Sequence, residues 1–200
     1  VNVVAAPLTL ADTLPRFRWR TATLVVAGAL ATAAAAQVRI PLGFTPVPVT
    51  GSTFAVVVIA ASLGLRRAIA SQGLYLAMAA VGLPVFANWN GGWDAVTGAT
   101  GGYVVGYLLA AAIVGHLAER GQDRSYAASV SAMVLGHVAI YTTGVAWLAH
   151  SLSIPVYSDA GTDAVSLGLA PFLIGDLVKV LVAAAITPAL WAAIERRTRP

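Results

Sequence analysis

Asp176 and Lys179 are the residues of this chain best placed to do chemistry. They stand three positions apart inside the apolar stretch Pro171–Ile194, a spacing that puts both side chains on one helix face. An ionisable group inside a bilayer is expensive and as a rule faces a cavity or a partner. If the helix begins near Pro171, Asp176 lies about 8 Å and Lys179 about 12 Å below its outer end, at 1.5 Å rise per residue. Two readings follow. In one, the pair neutralises itself and only holds the bundle. In the other, it lines a ligand site, where lysine takes a carboxylate and aspartate accepts hydrogen bonds from N–H donors. A solute with both groups around an apolar middle suits such a site if aromatic walls surround it.

Candidate walls lie in the connections. The segment Val38–Val49 carries Pro41, Pro46 and Pro48, which lack amide donors and bias the chain to extended form. It reads either as a lid over a cavity or as a rigid connector. Phe44 is a candidate contact in it, and Thr50 is both a contact and the expected cap of the next helix. A second loop runs Asn88-Trp89-Asn90-Gly91-Gly92-Trp93-Asp94. Asn88, Trp89 and Asn90, with Tyr103 beyond them, fit a pocket, although tryptophans also anchor chains at membrane interfaces. Asp159, Gly161 and Asp163 faintly resemble a calcium loop but lack its other ligands, so a solvated loop is expected. His137 and Tyr141, four residues apart on one segment, are spaced as a hydrogen-bonded structural pair of the kind that also joins transmembrane helices, and Tyr141 is also a candidate ligand contact. His116 and His150 sit near expected helix ends. No metal-site motif, nucleophile–histidine spacing or P-loop is present, so no catalytic residue and no metal ligand is assigned.

The elements that position these groups follow from composition. Of 200 residues, 58% are hydrophobic and 10% charged; a soluble domain carries about a quarter charged residues. So few charges cannot coat a globule in water. A soluble enzyme, a disordered segment and a nucleic-acid-binding module are excluded, and with no cysteine so are disulfides and thiolate sites. An all-α, polytopic membrane protein remains.

Six apolar segments of roughly spanning length are found: Thr21–Gln37, Thr50–Leu65, Ala68–Ala87, Gly101–Leu117, Tyr126–Ala149 and Pro171–Ile194. Arg66 and Arg67 alone separate the second from the third. Arg16, Arg18, Arg20, Arg66, Arg67, Arg120, Arg124, Arg196, Arg197 and Arg199 make ten of twelve basic residues, and six crossings place them all on one side. By the positive-inside bias that side, with both termini, is cytoplasmic. The expected organisation is a single membrane domain over 1–200, with a cytoplasmic or interfacial lead-in over 1–20 that has no secretory-signal pattern, and a six-transmembrane-helix bundle over 21–194. Ala27, Ala31 and Ala35 recur every four residues in the first segment, as do Gly98, Gly102, Gly106 and Ala110 at the fourth, Gly98 falling in the loop that precedes it. Such stripes permit close helix approach; the fourth is expected to pack internally, the first against another membrane protein.

Three stretches resemble the BioY family, the biotin-specific S-components of energy-coupling factor (ECF) transporters. They are Pro46-Val47-Pro48-Val49-Thr50-Gly51-Ser52-Thr53-Phe54; Tyr75 through Gly82-Leu83-Pro84-Val85-Phe86-Ala87 to Gly98-Ala99-Thr100-Gly101-Gly102-Tyr103; and Gly175-Asp176-Leu177-Val178-Lys179. The resemblance implies a six-helix S-component in a bacterial-type cytoplasmic membrane, binding biotin as transported substrate beneath the first loop, with no cofactor and no catalysed reaction. It matches Asp176 and Lys179 to the family's ligand-associated pair. It also matches the alanine stripe to the surface offered to a transmembrane coupling subunit, which works with two ATPases. Ser52 stands where relatives commonly have glutamine. The competing functions are an S-component for thiamine or riboflavin, an intramembrane enzyme using Asp176 or His137, and a purely structural membrane subunit.

Overall fold

The computed structural model describes residues 8–15, 17–159 and 161–198. Residues 1–7 of the lead-in, Arg16 and Arg199 lie outside the described residues, and of Arg197 only the backbone is described.

Six main helices form the bundle: α1 (Arg20–Gln37), α2 (Ser52–Leu63), α3 (Leu65–Ala80), then, after the short α4 (Trp93–Thr97), α5 (Gly101–Glu119) and α6 (Tyr126–Leu152), and, after the short α7 (Ala164–Gly168), α8 (Leu173–Thr198). The Val38–Val49 connection is not wholly irregular: β1 (Arg39–Ile40) pairs antiparallel with β2 (Val49–Thr50), with Arg39 opposite Thr50. Thr50 therefore does not cap α2; Gly51 holds the cap position, and the Thr50 hydroxyl turns to Ser52 instead.

Among the described residues three stretches, Gly101–Glu119, Tyr126–Leu152 and Ala164–Arg196, are long and apolar enough to cross a membrane by themselves. α2 is too short, since its 12 residues span about 18 Å against a hydrocarbon core of about 30 Å. Eight of those residues are buried, so neighbouring helices surround α2. Non-helical backbone is tolerated at membrane depth when it is buried in protein in this way.

Two boundaries differ from expectation. The break between α2 and α3 falls at Gly64, whose φ of +79° favours glycine, and Arg66 and Arg67 lie in the first turn of α3. A Cβ at Gly64 would also press on Glu119 and Thr9. α3 ends at Ala80, well before Ala87, because Gly82 adopts φ +94° and Pro84 restrains the residue before it.

The glycines of α5 pack internally. A side chain at Gly102 or Gly106 would collide with Trp147, Thr143 or Ile140 of α6. Gly98 stands apart from this stripe, at the end of α4. One end of the bundle gathers arginines. Asp12 of the Leu10–Thr13 turn bonds Arg20 of α1 and Arg67 of α3, each at 2.9 Å. There too Arg124 lies 4.5 Å over the Trp191 ring, and the Trp191 indole donates to Asp123.

Candidate functional site

At the other end, a cavity of about 240 Å³ opens between the β1–β2 hairpin, the Phe86–Thr100 loop and helices α3, α5, α6 and α8. Its walls are aromatic. Tyr75 of α3 packs on Phe86 at 5.4 Å between ring centroids and stacks on Tyr107 of α5 at 6.5 Å. Tyr103 meets Tyr141 of α6 edge-on at 6.3 Å. Phe172 and Ile140 complete the apolar lining. The hairpin loop covers this space: Pro46, Val47 and Pro48 line it, and the Thr45 hydroxyl donates to the Leu167 carbonyl of α7 at 2.7 Å.

Asp176 and Lys179 line the same cavity. They do not wait there as separate handles. Lys179 Nζ donates to Asp176 Oδ1 at 2.5 Å, to the Thr50 carbonyl at 2.7 Å and to Thr53 Oγ1 at 3.2 Å. Its three N–H donors are spent within the protein. The Thr53 hydroxyl donates in turn to Asp176 Oδ1 at 3.3 Å, and the Tyr141 hydroxyl donates to Oδ2 at 2.6 Å. A carboxylate offers about four acceptor positions, so one on Oδ2 stays open. The two readings of the pair therefore do not exclude one another: it lines the chamber and pairs with itself, because i and i+3 on one face bring the two groups into contact.

His137 also differs from expectation. It makes no hydrogen bond to Tyr141; the rings lie 6.5 Å apart. Its Nδ1 pairs with the Met133 carbonyl at 3.0 Å, while Nε2 sits 3.6 Å from Asp176 Oδ2 with no hydrogen-bond partner. Both side chains converge on Asp176 instead of on one another. His116 and His150 occupy the last turns of α5 and α6.

Among the loop candidates, Thr50, Asn88, Asn90 and Tyr103 line the cavity. Tyr103 also donates its hydroxyl to the Gly168 carbonyl at 2.7 Å. Phe44 and Trp89 do not line it: they are 64% and 70% exposed, and Trp93 is turned out as well. Bulky rings at the surface of this end suit interfacial anchoring. The Asp159–Asp163 loop is not simply solvated, for Asp163 is buried and caps α7 by accepting from the Ser166 amide at 2.9 Å.

Several lining residues had no assigned role from sequence, namely Tyr75, Tyr107, Ser52, Thr53, Phe86 and Arg39. Ser52 joins a hydroxyl chain, at 2.6 Å to Thr50 Oγ1 and 2.7 Å to the Tyr107 hydroxyl. Three hydroxyls share two bonds there, leaving one proton to donate outward. The usable signal was polar atoms in otherwise apolar helices, which a membrane interior penalises unless partnered.

The arrangement can hold a small solute with an apolar body, an N–H donor for Asp176 and an acceptor for the hydroxyl chain. A biotin transporter from Thermotoga maritima is 38% identical over 151 residues, covering 76% of this chain and 83% of that protein. One from Rhodobacter capsulatus is 36% identical over 148 residues, covering 72% and 77%. The crystal structure of the S-component for biotin from an ECF-type ABC transporter superposes with a TM-score of 0.76 at 24% identity, over 86% of this chain and 91% of that one, a likeness of fold. The BioY family matches from residue 9 to residue 196; from the helices to the polar pair on the last of them, this chain belongs to the BioY family.

Proposed function

We propose that this chain is the biotin-capturing component of a membrane uptake system. The observation that carries the reading is the Asp176 carboxylate, paired with Lys179 and bonded by Tyr141 in the wall of an aromatic cavity. The ureido ring of biotin supplies an N–H donor for that carboxylate and a carbonyl for the Thr50–Ser52–Tyr107 hydroxyls. The apolar bicycle lies against Tyr75, Tyr107 and Phe86. The relatives named biotin transporters support this choice over thiamine or riboflavin. The act is binding and delivery, with no bond made or broken.

Energy comes from partners in this reading, a transmembrane coupling subunit and two ATPases. The alanine stripe of α1 supports a docking role: Ala27 and Ala31 are exposed and Ala35 is half-buried, so two of the three remain open to another helix. The arginine-bearing end is cytoplasmic by the positive-inside bias, and the cavity opens outward.

Isothermal titration of the detergent-solubilised protein tests the reading. Saturable binding of biotin, with none of thiamine or riboflavin, is expected; tight riboflavin binding without biotin binding refutes it.

A further inference from the structure

His137 is buried in α6, and both of its ring nitrogens face oxygens that accept hydrogen bonds. Nδ1 lies 3.0 Å from the Met133 carbonyl, and Nε2 lies 3.6 Å from Asp176 Oδ2. A neutral imidazole carries one N–H. With that hydrogen on Nδ1, the Nε2 lone pair points at the carboxylate. With it on Nε2, the Nδ1 lone pair points at the carbonyl. Either way two acceptors confront each other in a buried place, which is costly. Nε2 is sealed from solvent and has no hydrogen-bond partner among the described residues. Only the doubly protonated ring donates from both nitrogens.

The carboxylate that Nε2 faces is nearly full. Lys179 and Thr53 donate to Oδ1, and Tyr141 donates to Oδ2; these take three of about four acceptor positions. The fourth is on Oδ2, the oxygen beside His137. A proton on Nε2 claims it after a small movement of the ring to hydrogen-bond distance. A ligand N–H claims the same position from the other side. Asp176 and Tyr141 line both the aromatic cavity and an apolar groove of about 670 Å³ between α6 and α8, whereas His137 lines the groove alone. His137 therefore reaches Asp176 from behind, without touching a guest in the cavity.

Few other charges bear on the ring. Helices α2, α5, α7 and α8 pack against α6. α2 and α7 contain no titratable side chain, and Asp163, which caps α7, is bonded to Ser166. In α5, Tyr103 and Tyr107 engage Gly168 and Ser52, and His116 and Glu119 stand in the last turn. Tyr126 and His150 lie at opposite ends of α6 itself. From α8 come Asp176 and Lys179, the two charges that face His137; the remaining charges of α8 lie near its C-terminal end.

We propose that His137 is a proton-binding positioning residue: a proton on Nε2 and the N–H of a ligand compete for one acceptor position on Asp176, so that capture of the ligand releases a proton. This rests on the biotin reading above, in which the ureido ring supplies the N–H. In the acid form the proton sits on Nε2 and bonds Oδ2. On binding it leaves Nε2 for water by way of the Asp176 carboxyl, which lines the cavity, and the ureido N–H takes its place. The ligand weakens proton binding by the same factor as the proton weakens ligand binding.

Isothermal titration of the full detergent-solubilised chain with biotin, between about pH 7.5 and about pH 5.5, tests this. The carboxyl of biotin, with a pKa of about 4.3 like other free carboxylic acids, stays largely ionised over that range. Titration in two buffers of different ionisation enthalpy counts the protons exchanged. Wild type should bind more weakly in acid, with a slope of up to about tenfold per pH unit, and should release up to about one proton per biotin. His137→Asn keeps a donor for the Met133 carbonyl and has no atom at the Nε2 position; it should lose both the slope and the released proton. His137→Gln offers an amide donor to Oδ2 at every pH and should bind weakly with no slope. A slope and proton count that survive in either variant overturn the proposal, and so does a change in affinity that leaves them as in wild type. Wild type that binds biotin without releasing a proton anywhere in the range overturns this inference alone. Wild type that binds no biotin at any pH overturns the biotin reading, and this inference with it.

Discussion

Asp176 and Asp12 are both carboxylates tied to basic side chains, at opposite ends of one bundle. Asp12 Oδ1 takes Arg20 and Arg67 at 2.9 Å, and Thr9 bonds Oδ2. This knot joins the N-terminal turn to α1 and α3. Asp176 has one cation, two hydroxyl donors and a cavity beside it. Residue types do not separate the two clusters. What separates them is that aromatic walls leave room next to Asp176, so an acceptor position is offered to a guest.

The sharpest test of this contrast is Asp176→Asn. It removes the charge-assisted acceptor and leaves Lys179 without a counter-ion. Biotin affinity should fall by about 100-fold or more, read by titration, with the helical signal in circular dichroism kept. Unchanged affinity would reduce Asp176 to a structural role like that of Asp12.

Lys179→Gln should come next. An uncompensated buried carboxylate costs about 3–5 kcal/mol when its partner is removed, so thermal stability and binding should both drop. In the double variant Asp176→Asn, Lys179→Gln, stability should recover and biotin affinity should not. Recovery of both would mean that the pair serves packing alone.

Asp12→Ala should leave biotin affinity unchanged and cost about 1 kcal/mol of stability. Burial pushes the Asp12 carboxyl up, but hydrogen bonds from Arg67 and Thr9 and the Arg67 charge outweigh it, and its pKa falls below the ordinary 3.8. A carboxyl lowered by folding stabilises the fold above the unfolded pKa and loses that contribution as pH falls through the folded value. The Asp12 contribution should therefore be intact at neutral pH and vanish only below about pH 3.8. A loss near neutrality in an acid melt would contradict the assignment.

The smallest effect on binding is expected at Ala31→Leu, which should spare biotin affinity and impair co-purification with a coupling subunit. Intact assembly would show that the exposed stripe of α1 is not the docking face.

Much of this was legible early. A chain with 10% charged residues must place its few ions deliberately, so Asp176 and Lys179 stood out, and Thr50, Asn88, Asn90, Tyr103 and Tyr141 could be attached to them through loops and polarity. Tyr75 and Tyr107 could not. α5 is apolar nearly all round, and without a polar face no stripe reveals that Tyr107 looks inward; Tyr75 stands on α3, and only its packing against Phe86 and Tyr107 gives it a place in the wall. Phe44 and Trp89 were misplaced for a related reason: at a membrane surface an aromatic ring is as stable outward as inward. His137 and Tyr141 share a helix face by spacing, yet only the approach of α8 supplies the carboxylate that draws both.

Composition and charge order determined by themselves that this chain folds as an apolar helical bundle, with all its arginines but Arg39 gathered at one end, since burying or exposing the wrong groups in lipid costs too much. Helix rotation and the meeting of Arg39, Asp176 and the tyrosines around one hollow were decided by tertiary packing alone. They depend on contacts between residues far apart in the chain, and no local periodicity encodes those contacts.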